Sequence, residues 1–184
     1  MRLHIRRGNP GDAATLAAFA AQTFFDTYAA QNTPEDMAAH LASAYGVGQQ
    51  GGELADPEVV TLLAEDGEVL AGFAQLRRGR APECVTHARA HEVHRFYVAR
   101  EYHGRGVSRL LMRAVMAAAR VRGATHLWLS VWERNPRAIA FYGKMGFVPE
   151  GTTYFVVGQD RQDDLVLVAP IGVGDAPGTP NQED

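Results

Sequence analysis

One stretch of the chain concentrates residues able to hold an anionic ligand. Val93-His94-Arg95-Phe96-Tyr97-Val98 reads as a strand, His103-Gly104-Arg105-Gly106-Val107-Ser108 as a glycine-bearing turn, and Arg109-Leu110-Leu111-Met112 as the start of a helix. Val107, Leu110, Leu111, Ala114, Val115 and Ala118 recur at helical spacing as one apolar stripe. The first turn of a helix leaves backbone N–H groups without an intrahelical partner. With Gly104 and Gly106 just ahead, those donors can close on a phosphate without a Cβ in the way, and the helix dipole favours its charge. The stretch therefore reads as a pyrophosphate cradle. It is not a P-loop, because Gly106 is followed by Val107-Ser108 rather than Lys-Ser/Thr. Nor is it a dinucleotide fingerprint: position 109 is Arg where a third glycine belongs, and no acid stands about 20 residues on. An ordinary strand-to-helix loop with two turn glycines fits the same residues.

The elements that would position this turn follow from periodicity. A short strand, Leu3 to Arg7, ends at Gly8-Asn9-Pro10-Gly11, and Asp12 is placed to cap an Ala-rich helix to about Gln22. Phe24 to Tyr28 borders a break. Thr33-Pro34 starts a second helix, and Gly46 to Gly52 reads as a loop. Val59–Leu63 and Val69–Leu76 form a hairpin about Asp66-Gly67. A polar surface loop, Arg77 to Ala90, leads to the 93–98 strand and a helix stopped by Gly123. Thr125–Trp132 is a strand, Asn135-Pro136 opens a helix that Gly146 ends, and two strands close the order βαα-ββ-βα-βα-ββ, with a turn at Gly158 to Gln162. This is a mixed sheet with helices on both faces. From Pro170 to Asp184 the composition predicts a disordered tail.

Composition narrows the function classes. The 184 residues are 46% hydrophobic and 21% charged, with formal net charge −3, values that suit one soluble globular domain. No Lys/Arg-dense block favours nucleic acid, and no apolar run predicts a signal peptide or a membrane span. A single cysteine, Cys84, cannot form an internal disulfide, which fits a cytoplasmic setting, and it has no partners at metal spacing. Nothing in the composition favours a macromolecular partner other than a second copy of the chain as a homodimer.

Phe96-Tyr97-Val98, the turn His103 to Ser108, and Asn135-Pro136-Arg137-Ala138-Ile139-Ala140-Phe141-Tyr142-Gly143-Lys144-Met145-Gly146-Phe147 together resemble the GNAT superfamily of acyl-CoA N-acyltransferases. The resemblance extends to about Ala169, as a single domain. Phe24 to Tyr28, Asn32 to Met37, Val131 to Asn135 and Gly158 to Leu167 are similar to its bacterial PaiA-type branch of spermidine/spermine acetyltransferases. Two positions depart from the family turn: His103 stands where Gln or Arg is usual, and Ser108 where Gly or Ala is usual. Ser108 keeps its N–H, whereas His103 lacks the long donor side chain.

The resemblance implies an α/β GNAT fold, a central mixed and mostly antiparallel twisted sheet with strands splayed at the cofactor site. It implies acetyl-CoA as cofactor, with the backbone of Phe96, Tyr97 and Val98 pairing with its pantetheine arm and polarising the thioester. His103, Gly104, Arg105, Gly106, Val107, Ser108 and Arg109 would surround the pyrophosphate, although Arg105 and Arg109 suit a solvated helix face equally well. Asn135 is a helix N-cap that in the family also touches the pantetheine, and Lys144 belongs to the same run. Tyr142 matches the family's proton donor to the departing thiolate, a role for which a phenol, protonated at neutral pH, is suited. Alternation along the strand places Glu92, His94, Phe96 and Val98 on one face and makes Glu92 and His94 the candidate bases. Asp26, Tyr28, Glu133 and Tyr154 could receive a cationic polyamine, and no metal is expected. Direct transfer to a primary amine is the leading expectation. Acetylation of a protein N-terminus or lysine or of an amino sugar, and a non-catalytic acyl-CoA sensor, are the alternatives.

Overall fold

A computed structural model describes residues 2–157 and 160–172. Seven strands, β1 (Leu3–Arg7), β2 (Val60–Asp66), β3 (Val69–Arg77), β4 (Ala90–Val98), β5 (His126–Trp132), β6 (Val148–Val157) and β7 (Asp160–Pro170), form one sheet in the order β1-β2-β3-β4-β5-β7-β6. Every neighbouring pair is antiparallel except β4 and β5, which run parallel. Five helices cover the two faces: α1 (Ala13–Tyr28), α2 (Pro34–Ala44), α3 (Val47–Ala55), α4 (Val107–Val121) and α5 (Pro136–Lys144).

The faces are chemically distinct because side chains alternate along each strand. Leu62, Ala74, Leu76 and Val93 on one face pack against Val107, Leu111 and Val115 of α4 and Tyr142 of α5. Leu63 and Phe73 on the other face meet Leu16, Ala20 and Phe24 of α1 and Met37 of α2. The buried stripe of α4 runs through Val107, Leu111, Met112, Val115 and Ala119, one step round from the expected stripe, so Leu110 lies 39% exposed.

Several expectations are corrected. The Gly46 to Gly52 segment is helical, not a loop: α3 starts at Gly46, buries Gln50 against the carbonyl of Ala44 and carries Glu53 to Arg95. Tertiary bonds outweigh the poor helix propensity of glycine here. Helix α1 does not break near Gln22 but continues to Tyr28. Asp12 does not cap it; its carboxylate holds Arg6 at 2.7 Å and the N–H of Asn9 at 2.8 Å. Asn135 does cap α5, accepting from Ala138 N–H at 3.1 Å. The Arg77 to Ala90 loop is not wholly superficial, since Val85 is buried with Trp128, Val166 and Val168. Pro170 belongs to β7, as do Asp160 to Gln162 of the expected turn, while Gly158 and Gln159 of that turn and residues 173–184 of the expected tail lie outside the described residues.

Arg95 and Glu53 form an ion pair in which the side chains are only 9% and 15% exposed, and Gln75 bonds to both. Burial alone would raise the pKa of Glu53, but the charge of Arg95 and bonds from Gln49, Gln75 and Arg95 hold it below the ordinary value. Removing one partner leaves the other charge buried and uncompensated. Glu53→Ala should therefore lower unfolding free energy by about 3 kcal/mol, measured by urea denaturation.

Candidate acetyl-transfer site

The site is set by a divergence of two strands. Strand β4 pairs with β3 along its length but meets β5 only through Ala90↔His126, His91↔Leu127 and Glu92↔Trp128. Beyond Glu92 its β5-facing edge is unpaired among the described residues. Backbone N–H and C=O groups left this way demand a partner. A cleft of about 550 Å³ opens beside that edge, lined by residues 93–98 of β4, Ser108 of α4, Thr23, Asp26, Thr27 and Tyr28 of α1, the cap Asn135, and Arg137, Ala138, Phe141 and Tyr142 of α5.

At one end of the cleft stands the glycine turn. Gly104 and Gly106 have φ of 75° and 85°, backbone that non-glycine residues adopt only at a cost, and an added Cβ on either would project into open space. Gly106 precedes α4 and offers no side-chain cap. Leu110 N–H is the first to bond within the helix, so among the described residues those of Val107, Ser108 and Arg109 have no backbone acceptor. These donors fit a diphosphate. Val107 itself is fully buried in the core, and the side chains of Arg105, Arg109 and Lys144 lie outside the cleft wall. His103 lines the cleft; because the carbonyl of Val98 can only accept, Nε2 donates to it, at 2.8 Å. Nδ1 of His103 is then a buried acceptor without a protein partner, which a ligand N–H in the cleft would satisfy.

Tyr142 lines the cleft and is 8% exposed, ringed by Phe96, Phe141 and Phe147. Burial raises its pKa well above the ordinary value, so the phenol keeps its proton at neutral pH.

The candidate bases are rearranged by a bulge. Gln75 pairs with Arg95 and Leu76 with Val93, so His94 is an extra residue in β4. Alternation resets there. Val93, not Glu92 or His94, shares the core face of Phe96 and Val98. Glu92 lies outside the cleft, held by Arg77 at 2.6 Å. Burial pushes its pKa up, but bonds from His94 and Arg77 outweigh that and leave it low, so Glu92 is an ionised acceptor. Its Oε1 lies 3.3 Å from Nδ1 of His94. An ionised carboxylate cannot donate, so in this contact Nδ1–H of His94 is the donor. Among the residues expected to receive substrate, Asp26 and Tyr28 line the cleft, while Glu133 is exposed beside Arg134 and Tyr154 stacks on Arg161 outside it. Ser130, outside every quoted motif, and Asp164, inside the Gly158 to Leu167 stretch but given no role there, line this region.

Residues 20–147 match the Acetyltransferase (GNAT) family. The chain belongs to that family. An uncharacterized N-acetyltransferase of Lactobacillus delbrueckii subsp. lactis is 34% identical over 85% of this chain and 90% of its own. A streptothricin acetyltransferase of Streptomyces lavendulae is 32% identical over 77% of this chain and 79% of its own. The PaiA N-acetyltransferase of Thermoplasma acidophilum, solved in complex with coenzyme A, shares the fold at TM-score 0.76, with 22% identity over 92% of this chain and 99% of that one. The GNAT chain described here is thus an acetyl-CoA-dependent N-acetyltransferase. Its helices include none long and apolar enough to cross a membrane among the described residues.

In this GNAT site the turn should be the most sensitive point for cofactor binding. Gly106→Asp adds a negative charge at a helix N-terminus and strains a left-handed backbone, so coenzyme A affinity measured by calorimetry should fall at least about tenfold.

Proposed function

We propose that the chain transfers acetyl directly from acetyl-CoA to a primary amine, a polyamine or similar small amine, in a ternary complex. One observation carries this reading: the unpaired edge of β4 runs beside the buried phenol of Tyr142 and reaches the bulge at His94, whose side chain lines the same cleft. Acetyl-CoA supplies an activated thioester. The backbone of Phe96 and Val98 orients it and polarises its carbonyl, while Val107, Ser108 and Arg109 hold the diphosphate through their N–H groups. His94 Nε2 takes one proton from the ammonium, exposing the lone pair that attacks the carbonyl carbon. As the C–N bond forms and the C–S bond breaks, Tyr142 gives its proton to sulfur, and the second proton shed by nitrogen restores the phenol. Glu92 acts through His94, fixing its tautomer and orientation. Asp26 and Tyr28 stand on the α1 wall, where a cationic acceptor would pass.

Thiol release from acetyl-CoA, assayed over spermidine, short amines, an amino sugar and peptides, tests the reading. Tyr142→Phe should lower kcat about a hundredfold while leaving coenzyme A affinity within about threefold. His94→Gln should lower kcat similarly, again with coenzyme A affinity within about threefold. Binding of acetyl-CoA without release on any amine would instead favour the sensor.

A further inference from the structure

A second cavity of about 170 Å³ adjoins the first, and the two share Tyr28, His94, Arg95, Tyr97 and Ser130 in their walls. It therefore meets the main cleft at the bulge, next to the presumed base. Its lining is largely aromatic: Phe24, Tyr28, His40, Tyr45, Trp132 and Phe155. These rings pack on one another, with Phe24 4.5 Å from both Tyr28 and His40, and Tyr28 5.9 Å from Trp132. Among the described residues one carboxylate lines it, Asp164, which pairs with Trp132 across β5 and β7 and is 7% exposed.

No resident cation is paired with Asp164 among the described residues. Arg95, the guanidinium on the wall, is bound to Glu53 and Gln75. Burial, then the charge of Arg95, lowers the pKa of His40 and keeps it neutral, while His94 is tied to Glu92. The groups facing Asp164 are otherwise the hydroxyl of Ser130, the amide of Gln162, which also bonds Asn32, the phenols of Tyr28, Tyr45 and Tyr97, and the charge of its neighbour Asp163. A buried carboxylate in such a place works against the fold unless something positive joins it.

We infer that this cavity receives the ammonium end of the acceptor, with Asp164 as its counter-ion and the aromatic rings around its methylenes. The ligand class is a short aliphatic primary amine, since the space equals that of about five or six liquid waters and aromatic faces attract cations. The inference rests on the N-acetyltransferase reading and assigns that site its acceptor pocket. Chiefly through burial, opposed by the Ser130 bond and helped by Asp163, the carboxyl is pushed up to about 6. A bound ammonium would draw it back down. The sign for stability follows. With the folded value raised, the contribution of Asp164 is best at low pH and is lost as pH rises through about 6. Asp164→Asn should therefore not lower Tm at pH 7.5, in contrast to Glu53→Ala.

The test uses the full chain saturated with coenzyme A, titrated with n-butylamine and 1,4-diaminobutane while Trp132 fluorescence is followed, alongside steady-state assays with acetyl-CoA. Asp164→Asn should weaken binding of both amines and raise their KM by about thirtyfold or more, with kcat within about threefold of wild type. Its affinity for coenzyme A should be unchanged, which also shows that it is folded. Ser130→Ala removes a bond that favours the ionised carboxylate, so the midpoint of amine binding against pH should move upward. Amine binding and KM indifferent to Asp164→Asn would overturn the inference, as would equal binding of 1-butanol and n-butylamine. A peptide substrate whose KM ignores Asp164→Asn, with no amine bound, would overturn it too. Asp164-dependent amine binding without acetyl transfer would support the pocket and count against the proposed function instead.

Discussion

The site depends on β4 and β5 parting after three residue pairs. A parallel pair held at only one end leaves a row of peptide groups facing a gap, and burying such groups unpaired is costly. The gap persists because each strand is held on its other side: β4 by β3 through Gly72–Arg77, and β5 by β7 from His126 to Trp132. The helices then keep it open. Helix α4 anchors one bank through Val107, Leu111 and Val115, and α5 anchors the other through Tyr142 and its neighbours. A slot with an unsatisfied strand edge on one side suits an extended ligand carrying amide groups, because the ligand completes the missing ladder.

The bulge at His94 organises the second half of the site. One extra residue in β4 turns Glu92 toward Arg77 and leaves His94 at the junction of two cavities. A chain of ionic and hydrogen-bonded contacts, Arg77 to Glu92 to His94, sets the imidazole tautomer from outside the cleft. On the other side of the junction, the buried Arg95 is paired with Glu53, which reduces the repulsion an incoming cation meets. Helix α3, which supplies Glu53, thus supports the site from a distance.

Much of this was legible in the residues. The Gly104–Gly106 turn, the Asn135 cap, the Asp66-Gly67 hairpin and the Phe141–Phe147 run depend on local geometry: positive φ, a side-chain oxygen near a helix start, a fixed helical offset. Those requirements act within a few residues and leave a local signature. The bulge left none, because it exists only in the register of β4 against β3. Alternation counted along β4 alone placed Glu92 and His94 with Phe96, and the count fails by one residue. Helix α3 was hidden behind its glycines, since what holds it is Glu53 reaching Arg95 and Gln50 reaching Ala44.

Asp164 shows the same division most clearly. In the chain, Asp163-Asp164 are two adjacent acids just after the expected Gly158 to Gln162 turn, and nothing local says which faces inward. Pairing of β7 with both β5 and β6 leaves Asp163 exposed and buries Asp164 beside Trp132 and Ser130. By itself, then, the sequence determined most of the elements, the left-handed glycine turn ahead of α4 and the place of Tyr142 on α5, because these are local. Tertiary structure decided the strand divergence, the position of His94 and the isolation of the Asp164 carboxylate, because each depends on strands distant in sequence being brought side by side.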